Sequence, residues 1–266
     1  MRDVTFMLAV KVEHPDRLEC FDICLRMVQK CFNSDVIVVE IESPIGLSVE
    51  DKCVGIESYM HTTDVTAERF RHTKWVNYMT DIARTPIVIM LNTDIIFRPE
   101  QVVESVNAVR NGMTLSLPFQ PQWGLTYLNE KFRKDFIKDM DLKMLDDQKY
   151  YDRTVAEASG GLFVADKKTF RGMCGGENED MTGWCPVELE RVERVEKLGY
   201  LTNWIKGPYY HLEHWRGADS GSLDSDESKS EHYLKMQELL LKIRGMDKDQ
   251  LKAWLATRPW FLEGTS

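Results

Sequence analysis

The 266-residue sequence predicts an α/β fold with a mostly parallel central sheet flanked by helices. Three observations carry this. Segments 4–10 (VTFMLAV), 35–41 (DVIVVEI) and 86–91 (PIVIML) are near-continuous apolar runs of strand length, the pattern of strands covered on both faces. The stretches between them carry helical periodicity instead of alternation. Strand, helix, strand in that order builds right-handed crossovers.

In chain order, the first helix opens at Pro15 and Asp16, a favourable first turn, and repeats Leu18, Phe21, Leu25, Val28 and Phe32 at spacings of three and four. A second helix spans 67–83 and stops before Pro86. A third opens near Pro99 and carries Val102, Val103, Val106 and Val109. Residues 114–118 read as another strand. Residues 129–151 set Phe132, Phe136, Met140 and Met144 on one face and predict a single amphipathic helix packed on the sheet. Segment 217–230 (GADSGSLDSDESKS) has the composition of a loop or linker. Helical patterns close the chain, with Trp254, Trp260 and Phe261 expected to pack back on the body. The division is a main domain over 1–216 and an acidic loop with a C-terminal helical extension over 217–266.

Composition narrows the function classes. There are 34 Lys and Arg against 43 Asp and Glu, a net charge of −9, which argues against a dedicated nucleic-acid binder. No run reaches the roughly 18 apolar residues of a membrane-spanning helix, and the first ten residues lack a signal-peptide core. The expectation is a cytoplasmic protein with at most peripheral contact at the inner membrane face. The six cysteines (Cys20, Cys24, Cys31, Cys53, Cys174, Cys185) form no CxxC pair and read as reduced thiols.

In open α/β sheets, ligands bind beyond the carboxyl ends of the strands. Lys11 and Glu13 follow the first strand, Glu40 and Glu42 mark the end of the second, and Asn92 and Asp94 follow the third. The first turn, VKVEHPDR, is neither a GxGxxG fingerprint nor a P-loop, which disfavours a dinucleotide dehydrogenase or a P-loop NTPase. Asp94 comes directly after a buried strand, where a carboxylate is costly to desolvate unless it meets a cation or hydrogen-bond donors. Capping of a turn is the structural alternative.

These residues resemble the GT-A fold of nucleotide-sugar glycosyltransferases, family 2 and the β-1,4-galactosyltransferase-like branch. Asn92-Thr93-Asp94 stands where that family has its DXD motif, with an amide at the first position. Phe70, Lys74 and Asn77 match a donor-binding stretch, which has an arginine where His72 stands. Residues 159–170 (SGGLFVADKKTF) resemble the family's GG-turn-strand-helix segment. In Gly183-Trp184-Cys185-Pro186-Val187-Glu188-Leu189-Glu190, Glu188 and Glu190 fall on two of the family's acids, Val187 replaces another, and Arg194 matches its arginine. His211 or His214, after the last strand, stands where the family supplies its remaining metal ligand. Side chains alternate on a straight strand, so two histidines three apart are not expected to face inward together.

The resemblance implies a metal-dependent, inverting transferase of a hexose or N-acetylhexosamine. Its donor is a UDP-sugar and its acceptor a glycan or lipid-linked saccharide. Glu188 is the implied catalytic base. Lys11, Glu40, Phe70, Lys74, Asn77, Asn92 and Asp94 are the implied donor-binding residues. Trp184 and Glu190 would bind acceptor, and Asp94, His211 and His214 would hold Mn²⁺ or Mg²⁺. The alternative is a non-catalytic sugar-nucleotide or glycan-binding protein on the same fold, because Asn92 and Val187 each remove a carboxylate. Segment 217–230 is expected to act as a lid over bound donor. Oligomeric state stays open.

Overall fold

The computed structural model describes all residues except 44, 65–68, 157, 159, 217–229 and 262–266. The expected lid therefore lies almost wholly outside the described residues. The chain runs β1 (Val4–Lys11), α1 (Pro15–Cys31), β2 (Asp35–Ile41), β3 (Ser58–Thr62), α2 (His72–Ile82), β4 (Ile87–Leu91), β5 (Ile95–Ile96) and α3 (Pro99–Arg110). It continues through β6 (Leu115–Leu117), β7 (Leu125–Leu128), α4 (Glu130–Asp139), β8 (Tyr151–Val155), β9 (Leu162–Asp166) and α5 (Val187–Lys197). Then come β10 (Thr202–Trp204), β11 (Tyr209–Leu212), α6 (Glu231–Gly245) and α7 (Lys248–Ala256).

Seven strands form the central sheet in the order β10-β6-β9-β4-β1-β2-β3. β1 pairs in parallel with β2 and β4, β2 with β3, and β6 with β10. Only β9 runs against its neighbours β4 and β6. The three apolar runs are β1, β2 and β4, buried almost throughout. β3, SYMHT, is a half-buried strand at the sheet edge, where one-sided cover removes the apolar run that would reveal it.

Pro15 at the helix start and His14, whose ring accepts from the Asp16 amide, begin α1. Its inner face buries Cys20, Phe21, Cys24, Leu25 and Val28. Phe32, just past its end, stacks between Phe6 of β1 and Phe97, with ring centroids at 5.3 and 6.0 Å.

The single helix expected over 129–151 is three shorter pieces. α4 ends when Met140 turns left-handed (φ 54°). Asp141 and Asp147 then each accept from the amide two residues on and start separate 3₁₀ turns before β8. Aspartates compete with a helix by bonding nearby backbone, so the apolar spacing that suggested continuity breaks at them.

The last helices share the main core. Ile243, Leu251, Trp254, Leu255 and Trp260 belong to its buried cluster. Trp260 is tied down twice: its carbonyl accepts from buried Arg171 at 2.8 Å, and its indole donates to Asp180 at 3.2 Å. All six cysteines are free thiols. No described helix is long and apolar enough to cross a membrane.

Candidate active site

A second, smaller sheet, ordered β5-β11-β7-β8, builds the site. After β4 the chain turns at Asn92, whose carbonyl accepts from the Ile95 amide at 3.2 Å, and re-enters as β5. β5 pairs antiparallel with β11, His211 opposite Ile95. The Leu212 amide donates to the Asp94 carbonyl at 2.8 Å, so the turn after β4 and the end of β11 are fastened together.

This pairing brings Asp94, His211 and His214 into one buried cluster whose ligand atoms all lie within 4.8 Å of one another. His214 Nε2 is 3.2 Å and His211 Nε2 3.6 Å from Asp94 Oδ2. Both histidines face the same carboxylate, contrary to the alternation expected of them. β11 ends at Leu212, so His214 lies beyond the strand and escapes its two-residue period.

A third group, Arg17 of α1, reaches the cluster. Its Nη1 is 3.0 Å from Asp94 Oδ2 and 3.1 Å from His214 Nε2. The contact is set up by packing at the start of α1, where Trp215 stacks on His14 with centroids 5.5 Å apart and its amide donates to Asp16 at 3.2 Å. Arg216 approaches His211 Nε2 at 3.4 Å.

Proton positions follow from the donors. Guanidinium groups only donate, so His214 Nε2 accepts, and its Nδ1–H donates to the Trp215 carbonyl. Orientation of a ring through its second nitrogen is the arrangement found behind metal-binding histidines. Burial pushes the His211 pKa down to about 3, leaving a neutral imidazole. Burial also opposes ionisation of Asp94, but the charged and hydrogen-bonding groups around it, Arg17 among them, outweigh it and hold the carboxyl well below the usual range.

Gly160 and Gly161 separate this cluster from Glu188. The Asn92 amide donates to the Gly161 carbonyl at 2.8 Å, and a Cβ on Gly161 would stand 2.7 Å from Ile95. On the other side, Glu188, in the first turn of α5, lies directly against Gly160. Glu188 is half-buried, and burial raises its pKa above the ordinary carboxylate value, partly countered by the charge of Arg191.

Other residues singled out in the sequence are engaged elsewhere. Glu40 is fully buried, and its carboxylate accepts from Ser48 Oγ, the Val49 amide and Tyr59 Oη, which organises the segment before β3. Asn77, also buried, donates to the Glu177 carbonyl and accepts from the Glu177 amide, clamping the turn at Gly176. Glu190 is wholly buried against Arg194, with contacts of 2.7 and 3.2 Å. Lys11 pairs with Glu13 at 3.1 Å and Lys74 with Asp64 at 3.5 Å. Phe70 meets His72 edge-on, and its carbonyl accepts from Gly183, which links it to the segment bearing Trp184. Trp184 stacks on Tyr233 with centroids 4.9 Å apart.

Sequence reasoning missed Arg17 and passed over His72. His72 opens α2, its pKa is pushed down to about 4 by burial, and its Nε2 has no hydrogen-bond partner among the described residues. Nothing in HPDRLE marks Arg17, because its partners are 77 and 197 residues away.

Comparison of the fold is decisive where comparison of sequence is silent. No protein-family profile matches the sequence, and no curated protein matches it. Among solved structures, a glucosyl-3-phosphoglycerate synthase from Mycobacterium tuberculosis, in complex with Mn²⁺, UDP and phosphoglyceric acid, superposes with a TM-score of 0.56. It is 13% identical over 92% of this chain and 79% of its own. The catalytic domain of Drosophila β1,4-galactosyltransferase 7, in complex with xylobiose, superposes with a TM-score of 0.51. It is 10% identical over 94% of this chain and 84% of its own.

The chain has the GT-A fold. Within this GT-A chain, β4 and β11 deliver Asp94 and the two histidines to the carboxyl end of the sheet, and β9 begins immediately after the diglycine.

Proposed function

We propose that the protein is a metal-dependent, inverting glycosyltransferase. It moves a hexose or N-acetylhexosamine from a UDP-sugar to a hydroxyl of a glycan or lipid-linked saccharide. One observation carries the reading: a carboxylate and two imidazoles converge at the end of β4, across a diglycine from a half-buried glutamate.

The donor set fits a divalent ion. Asp94 offers an anionic oxygen and His214 an Nε2 on a ring oriented through its Nδ1, while His211 is neutral, with its Nδ1 unpartnered among the described residues. Mixed oxygen and nitrogen ligands suit Mn²⁺ better than Ca²⁺, and Mg²⁺ is the second choice. When bound by these three residues, the ion supplies Lewis-acid stabilisation of the charge that grows on a leaving diphosphate.

The chain's own groups account for the remaining chemistry. Glu188 takes the proton of the acceptor hydroxyl as that oxygen attacks the anomeric carbon. Desolvation makes it a stronger base than an ordinary carboxylate, which suits that role. A base on the face opposite the leaving group gives a single displacement with inversion. In this reading Lys11, Asn92 and Phe70 would contact the donor, and Trp184 would offer the ring face turned away from Tyr233 to an acceptor sugar. Support also comes from the structural neighbours, one crystallised with Mn²⁺ and UDP and the other with xylobiose.

Calorimetric titration of UDP with and without Mn²⁺, followed by a screen of UDP-sugars for UDP release, tests the reading. Metal-dependent UDP binding and slow donor hydrolysis are expected. Failure of the wild-type protein to bind UDP in the presence of Mn²⁺ or Mg²⁺ would reject it.

A further inference from the structure

Arg17 stands where a cation belongs. Its Nη1 lies 3.0 Å from Asp94 Oδ2 and 3.1 Å from His214 Nε2, and those two acceptors are themselves only 3.2 Å apart. Two lone-pair atoms that close repel unless a positive charge lies between them, and the guanidinium is that charge. With Arg17 donating to Nε2, the ring proton of His214 faces the Trp215 carbonyl from Nδ1.

The position of Arg17 on its own helix sharpens the point. It lies in the first turn of α1, which begins at Pro15. Helix N-termini carry partial positive charge and disfavour cations. The local backbone therefore does not explain why the guanidinium sits here, whereas Asp94 and His214 do. Arg17 is also largely buried, so it holds this place at a cost in solvation.

The atoms Arg17 occupies are the ones a divalent ion needs. Nε2 of His214 has a single lone pair, so a guanidinium donating to it and a metal ion bound by it exclude each other, and Oδ2 of Asp94 takes the contacts from Arg17, His211 and His214 as well. We infer that Arg17 is a resident cation that holds Asp94 and His214 in ligating position and exchanges places with the divalent ion when it binds. This rests on the metal-binding part of the proposed function. Its consequence is that the protein binds metal more weakly than its three ligands would alone, because Arg17 must first be displaced.

Manganese binding to the full chain without nucleotide, followed by the electron paramagnetic resonance of free Mn²⁺, tests the exchange. Arg17→Met removes the charge and keeps the apolar stem, and Arg17→Lys keeps the charge. If Arg17 occupies the site about nine-tenths of the time, Arg17→Met binds Mn²⁺ about tenfold more tightly than wild type. Arg17→Lys falls between the two. In EDTA, Arg17→Met melts at lower temperature than wild type, and Mn²⁺ raises its melting temperature by the larger amount. Equal or weaker Mn²⁺ affinity in Arg17→Met overturns the exchange while leaving the metal reading intact. If neither protein binds Mn²⁺, both fall together. The wild type gives an independent readout if the variants fold poorly. Titration with Mg²⁺ should shift the Arg17 guanidinium resonance, and an unmoved signal at saturation overturns the inference.

Discussion

The carboxylate of Glu188 fills the space that a side chain on Gly160 would occupy. A Cβ built on Gly160 stands 2.3 Å from Oε1 and 2.6 Å from Cδ of Glu188. What has to give is the far end of one flexible side chain.

Gly160→Ala should therefore displace the proposed base and leave the fold intact. The expected result is a kcat reduced by about 10²-fold, the scale of an ångström-sized misplacement, with a melting temperature near that of wild type. Steady-state kinetics and thermal unfolding check it together, and an unchanged kcat would remove Glu188 from the base role.

Glu188→Gln should keep UDP-sugar binding and slow transfer by about 10²–10⁴-fold, the usual contribution of a general base. The pH dependence has a definite sign. The base must be ionised, so wild-type kcat/KM should fall on the acid side with an apparent pKa above 4.5, the ordinary glutamate value.

Stability carries the opposite sign. A raised pKa in the folded state favours folding below the unfolded value, and that contribution is lost as pH rises through the folded value. Glu188→Gln should consequently unfold at higher temperature than wild type at neutral pH while being the slower enzyme. Melting curves across the pH range test this, and a variant that is less stable at neutral pH contradicts it.

Asp94→Asn removes the charge that the two histidines and Arg17 surround. It should abolish the Mn²⁺ dependence of UDP binding, read by calorimetry. Chelation of the wild type with EDTA should reproduce the loss reversibly.

Glu190 separates structural from acceptor-binding roles. Its removal leaves Arg194 buried and unpaired, since Arg194 is fully inaccessible and its other contacts are the Cys174 and Gly176 carbonyls. Glu190→Ala should cost about 3–5 kcal/mol of stability, measured by denaturant unfolding. A well-folded variant with a raised acceptor KM would instead support the acceptor role expected from sequence.

Much of the scaffold was legible because burial writes itself into residue type. β1, β2 and β4 are covered on both faces, so each is an unbroken apolar run, and α1 carries its apolar face at helical spacing. Asp94 was legible for the same reason: an acid directly after such a run is costly and needs a partner. The stretch 129–151 misled because Met144 continues the spacing past the left-handed turn at Met140. Glu40, Asn77 and Glu190 have the right residue types at suggestive positions. A residue type does not say which neighbour a carboxylate or amide meets, and the hydrogen bonds that Glu40, Asn77 and Glu190 make in the buried interior are set by the fold.

By itself, then, the sequence determined the parallel sheet, its helical cover and the strand-end acid, since all three follow from local periodicity and the cost of burying polar groups. Tertiary structure alone decided that His211 and His214 share one carboxylate, that Arg17 reaches both Asp94 and His214, and that Glu188 rests on Gly160. Those relationships depend on distances between atoms far apart in the chain, set by how β5 pairs with β11 and how α1 and α5 meet the sheet. No local pattern of residues encodes such distances.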